Sequence, residues 1–344
     1  MKNIIKNNIV FWLLSIIFLT FIIISVGGIT RLTGSGLSMV DWHPVYGILP
    51  PITLDQWNTI FEKYKLFPEY KIKNFSMTLS EFKFIFFWEY IHRILGRIIG
   101  LVIIVPYVFF LIKKKLNKEL KRSGLILSIM VVIQGLIGWY MVKSGLINEP
   151  RVSHLRLALH LSGALVILQF SIWTLLSYFK SKRYTKTNLS ITMFCFNTTL
   201  ILGLQIIYGA FTAGLKAGYG YNSFPKMSGE WLPLTAIQMM PFVKNLIYNP
   251  VMIQFMHRML GLLLLSCVII LVILIERSNL KSHIKVISRL IIGFTLVQYL
   301  LGIGVIIFYV PLSLAVIHQF GAVIVLSLFI ILNHMLRWEY KKIN

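Results

Sequence analysis

Eight stretches of this chain are apolar for long enough to cross a bilayer as helices, and that alone confines the fold. They cover residues 9–29, 84–112, 124–142, 157–179, 189–213, 251–275, 286–309 and 312–336. About 20 such residues span the hydrocarbon core as a helix. Lipid offers backbone groups no hydrogen-bond partner, so a span must satisfy them internally, and helices do so. The expected fold is an all-α polytopic membrane protein with eight transmembrane helices. The first run is read as a retained span, because it is long and no small-residue cleavage site follows it.

The formal charge is +23, from 34 Lys and Arg against 11 Asp and Glu. Its placement argues against nucleic acid. Basic residues cluster in short segments on one side of the spans: Lys2 and Lys6, Lys113 to Arg122, Lys180 to Lys186, Arg277 to Lys285, and Arg337 to Lys342. The positive-inside rule puts both termini and these loops in the cytoplasm, or in the matrix of an organelle, facing an anionic leaflet. Cys195 and Cys267 lie inside spans without a CxxC or a loop partner, which fits buried structural thiols better than a disulfide or a thiolate metal site.

The spans divide into two sets of four. His92-Arg93-Ile94-Leu95-Gly96 recurs as His257-Arg258-Met259-Leu260-Gly261, and His160 with Gly163 recurs as His318 with Gly321. Span five starts on the same side as span one, so two parallel four-helix repeats are expected about a pseudo-twofold axis along the membrane normal. The division runs 1–179 for the N-terminal half, 180–188 for a basic linker and 189–344 for the C-terminal half. Odd spans carry a second trace, Gln134 with Gly138, Gln205 with Gly209 and Gln298 with Gly302, a spacing that suits close helix packing in lipid.

The four repeated histidines stand near the starts of even spans, so all four rings are expected at similar depth near the outer face. Ionisable side chains in a bilayer mark function more often than structure. Neutral imidazole is a common metal ligand, and two facing helices of a bundle can supply an axial pair to a haem iron. The glycines three residues after His160 and His318 are expected to let a planar group approach. Zinc is disfavoured, because no thiolate or compact ligand cluster accompanies the pairs. His43, His154, His283 and His334 read as ordinary residues, with His43 and His154 expected to be solvated near outer loops.

The two sites differ. Glu89 stands three positions before His92, on the same helix face, whereas Gln254 stands three before His257. A carboxylate can move protons or stabilise positive charge; an amide can only hydrogen-bond. The first half is therefore expected to do chemistry, with Glu89, His92 and His160 as its residues, and the second to hold a permanent cofactor. Arg93 and Arg258 suit haem propionates or interfacial anchoring. The long outer segments 30–83 and 214–250, rich in Gly, Pro and Trp, read as lids or surface turns.

Glu89-Tyr90-Ile91-His92-Arg93, the run from Gly27 to Ser38, Leu157-Ala158-Leu159-His160, Phe255-Met256-His257-Arg258 and His318-Gln319 together resemble the haem A synthase family over nearly the whole chain. It resembles the branch without an outer-loop cysteine pair, shared by proteobacterial and mitochondrial members. The resemblance implies oxidation of the C8 methyl of haem O to a formyl group in two steps, giving haem A for terminal oxidases. It implies haem b iron on His257 and His318, substrate haem iron on His92 and His160, and a multi-pass protein of the cell inner membrane. An electron donor is required and not identified by any residue; contact with a haem O synthase and a homo-oligomeric state are left open. Two other readings stand beside it: a di-haem electron-transfer cytochrome, which the shared depth of the sites disfavours, and a haem transporter, for which no broken-helix pair or inverted repeat speaks.

Overall fold

The structure, a computed structural model, describes residues 2–40, 49–145, 152–184 and 189–340. Within them eleven α-helices follow in order: α1 (Lys2–Leu32), α2 (Leu54–Lys65), α3 (Pro68–Ile72), α4 (Leu79–Ile112), α5 (Lys118–Gly145), α6 (His154–Phe179), α7 (Leu189–Gly214), α8 (Val243–Tyr248), α9 (Pro250–Glu276), α10 (Ser282–Ile307) and α11 (Leu312–Arg337). Eight of these, α1, α4 to α7 and α9 to α11, are long and apolar enough to cross a membrane. Each coincides with one expected span. The ends differ by a few residues because hydropathy marks the lipid boundary, whereas helices continue beyond it. Among the described residues, a short antiparallel ribbon, β1 (Lys180–Tyr184) with β2 (Trp338–Tyr340), and an isolated bridge between Met227 and Glu230 depart from the helical pattern, and Lys180 Nζ lies 4.1 Å from the centre of the Trp338 ring.

Local sequence sets several helix starts. Asn249 caps α9 by accepting from the Val251 and Met252 amides, and Pro250 fills the first turn, where a missing N–H does no harm. Thr53 with Gln56 and Thr78 with Glu81 form capping boxes that open α2 and α4. Within the described part of segment 30–83, residues 49–83 thus form a small helical cap and not only loop. Its core joins Phe61, Tyr64, Phe82, Ile85 and Phe86, with Phe61 stacked on Phe82 at 5.0 Å.

The chain forms two compact units, Phe18–Ala164 and Met1–Ile17 with Leu165–Asn344, the boundary passing through α1 and α6. In the first, α4 and α5 pack closely: a Cβ at Gly124 would overlap the Tyr107 ring, whose hydroxyl donates to the Lys121 carbonyl at 3.1 Å. In the second, α7, α9, α10 and α11 close a four-helix ring, each packed on two neighbours. In both units the helix surface left over is apolar, as a lipid-facing surface requires.

Candidate functional site

Helices α4 and α6 bring the rings of His92 and His160 together, with centres 6.3 Å apart and planes steeply inclined at 65°. Helices α9 and α11 do the same for His257 and His318 at 6.4 Å. A transition metal sits about 2 Å from an imidazole nitrogen and that nitrogen about 1 Å from its ring centre, so two axial imidazoles on one iron hold their centres roughly 6 Å apart. Both pairs fit a bis-imidazole iron. Among the described residues, no group of three or more His, Cys, Asp or Glu side chains gathers as a metal cluster. Each pair could supply two axial ligands, with a porphyrin to supply the remaining four. His160, His257 and His318 lie about two turns into their helices, but His92 lies more than three turns into α4, because α4 begins within the cap.

A glycine of the preceding span receives each ring. A Cβ built on Gly27 would lie 3.0 Å from His92 Cε1, on Gly138 2.9 Å from His160, on Gly209 3.1 Å from His257 and on Gly302 3.1 Å from His318. The reverse contact comes from the same helices: Gln134 lies over Gly163, Gln205 over Gly261 and Gln298 over Gly321, with Ile23 over Gly96. This corrects one expectation. Gly163 and Gly321 are filled by glutamine side chains and offer no face to a planar group. The Gln-x-x-x-Gly trace is explained instead as a reciprocal lock between antiparallel helices, its glycine seating the histidine and its glutamine covering the histidine helix.

The residues flanking the histidines hold the long segments that precede their helices. Glu89 is buried and pairs with Arg93 at 2.5 Å; its other oxygen accepts from the Ser38 hydroxyl at 2.7 Å and the Met39 amide at 2.8 Å. Arg93 also donates to the Met39 carbonyl at 2.9 Å. In the second half, Gln254 donates to the Tyr221 carbonyl at 2.9 Å, and Arg258 donates to the carbonyls of Tyr221 at 2.9 Å and Ser223 at 2.8 Å. The positions three before and one after the histidine do the same mechanical work twice, once with a carboxylate and once with an amide.

Comparison with known proteins gives this geometry a family. A family model described as cytochrome oxidase assembly protein, COX15-CtaA, matches residues 10–330. Heme A synthase COX15 of Bos taurus is 43% identical over 320 residues, covering 90% of this chain and 78% of that one. Heme A synthases of Flavobacterium psychrophilum and Rickettsia bellii are 43% and 42% identical over 331 and 330 residues, covering 95% and 94% of this chain and 97% of each relative. The chain belongs to the COX15-CtaA family.

For a COX15-CtaA member the remaining histidines sort simply. His43 lies outside the described residues. His154 is buried, contrary to the solvated position expected, because α6 begins at this residue and draws the ring into the packing. His334 is fully buried beside the Ser177 hydroxyl at 3.0 Å and edge-on to Trp173 at 4.7 Å. Cys195 is buried and Cys267 half-buried, and both are free thiols. Sequence reasoning named the run from Gly27 to Ser38 but missed the contacts of Gly27 with His92 and of Ser38 and Met39 with Glu89. Gly27 had a signal, since it stands at the odd-span position that Gly138, Gly209 and Gly302 occupy, but Ile23 in place of glutamine hid the match.

Proposed function

We propose that this COX15-CtaA member is a haem A synthase, an oxidoreductase that converts the C8 methyl of haem O to a formyl group in two steps for use by terminal oxidases. The observation that carries the reading is the duplicated imidazole pair at a bis-axial spacing, 6.3 Å and 6.4 Å, in a family whose relatives bear that name.

The halves 1–179 and 189–344 act as parallel repeats joined by the basic linker 180–188. His257 and His318 hold haem b as the resident group, which when bound supplies one-electron redox chemistry. His92 and His160 hold the iron of haem O as substrate. Glu89, three residues from His92, would be the group of this site able to receive a proton or balance positive charge, and Gln254 in the resident site has no such capacity. Arg93 and Arg258 hold the outer segments down by their carbonyls and add positive charge at the rim, where propionates would meet them. The capping segments keep bulk water off the site and the lipid-facing helices give a farnesyl tail its entry. Both termini and the basic loops face the cytoplasm of a cell inner membrane.

The test is conversion. Purified protein given haem O, oxygen and a reductant should yield a formyl haem by extraction and mass analysis. Unchanged porphyrin under conditions where the resident haem turns over electrons would make the chain a carrier and defeat the proposal.

A further inference from the structure

Three of the four rings share one backing: His160 has Gln134 and Gly138, His257 has Gln205 and Gly209, and His318 has Gln298 and Gly302. The fourth differs. His92 has Gly27 and Ile23. Where glutamine is present it fills the space over the glycine of the histidine helix tightly: a Cβ at Gly163 would meet Gln134 Oε1 at 2.2 Å, one at Gly261 would meet Gln205 Nε2 at 3.2 Å, and one at Gly321 would overlap the Gln298 amide. Ile23 reaches only 3.8 Å from the same point on Gly96, an ordinary contact. Gln134 Nε2 donates to the His160 carbonyl at 2.7 Å and lies 3.1 Å from its Nδ1, whereas Nδ1 of His92, and equally of His257 and His318, is buried with no hydrogen-bond partner, so what sets His92 apart is the apolar Ile23 over its turn.

Resting on the functional reading above, we propose that Gly27, Gly138, Gly209 and Gly302 are positioning residues that seat the four imidazoles, and that Ile23, standing where the other three seats have glutamine, leaves His92 the ring able to turn away from iron. A groove without a Cβ fixes one edge of each ring. A polar side chain over the histidine turn fixes the turn that carries it, and outer contacts of this kind help orient a ligand. A resident haem needs two such ligands. A substrate that enters, reacts and leaves is served by one firm ligand, His160, and one releasable ligand, His92.

Two variant sets test this. Gly209→Ala and Gly302→Ala each bring a methyl to 3.1 Å from a resident-site imidazole, while Gly203→Ala and Gly293→Ala, on the same helices, meet nothing within 4 Å. The first pair should lose the bis-imidazole low-spin signal of the resident haem, or weaken its retention roughly tenfold, with the second pair unchanged. Identical spectra and haem retention in all four overturn the seating role, whereas a wild-type protein without any low-spin resident haem overturns the functional reading beneath it. For the releasable ligand, protein loaded with ferric haem O is mixed with cyanide, protein holding only its resident haem being the blank. Ile23→Gln should slow cyanide binding at least about tenfold and Ile23→Val should not. No cyanide binding in the wild type, or equal rates in Ile23→Gln, overturns the assignment of His92.

Discussion

Glu89 and Gln254 occupy equivalent places and make equivalent contacts to the long segment that precedes their helix, which gives a clean way to separate chemistry from support. Glu89→Gln installs in the first half what the second half already tolerates: Arg258 sits buried beside an amide and backbone carbonyls, with no carboxylate among its hydrogen-bond acceptors. The contacts to Ser38 and Met39 then keep an oxygen acceptor, and only the charge is lost. The account predicts a Glu89→Gln protein with normal resident haem and haem A output reduced about a hundredfold or more. Normal output from that variant, measured by extracted pigment, would leave Glu89 a latch alone. Ser38→Ala probes the other part: removing a hydroxyl donor from a buried carboxylate should cost about 1–2 kcal/mol of cap stability while the resident haem spectrum stays unchanged.

At the scale of elements, the cap over α4 has its own titratable centre. Glu69 is buried against Tyr64, whose hydroxyl donates to it at 3.2 Å, and Asn74 donates to Tyr64 at 2.7 Å. Burial pushes the Glu69 carboxyl up to about 7, with Lys73 and the Tyr64 hydroxyl only partly offsetting it; burial likewise raises the Tyr64 hydroxyl. A carboxyl whose folded value lies above its unfolded one holds a proton that the unfolded cap has lost, so its contribution to stability is full below about pH 4.5 and falls away as pH rises through about 7. Hydrogen exchange of cap amides, compared with Glu69→Gln at the same pH, should show the wild type less protected near pH 8 and equal by about pH 4; a ratio independent of pH would contradict this. None of this cap was read from hydropathy, because α2 is amphipathic and short. The capping boxes at Thr53–Gln56 and Thr78–Glu81 carried the signal, and it is a local one that a search for apolar runs passes over.

Across the whole molecule, the spans were legible because lipid imposes a long, uniform apolar run on each helix, and the histidines were legible because their cost in lipid makes repetition informative. Their mutual facing was not: nothing in the spacing of His92 and His160, or of His257 and His318, fixes a ring-to-ring distance, which depends on how α4 meets α6 and α9 meets α11. The glycine seats were half visible, as a packing motif on odd spans whose partner on the even span only coordinates reveal. The central claim is that each half grips an iron between two imidazoles, one group resident and one a substrate. The direct measurement is the haem content and electron paramagnetic resonance of purified protein, wild type against His257→Ala, His318→Ala and His92→Ala. The account predicts that the first two lose the low-spin resident haem and that His92→Ala keeps it while forming no haem A. Retention of a low-spin haem in His257→Ala and His318→Ala, or its loss in His92→Ala alone, would contradict it.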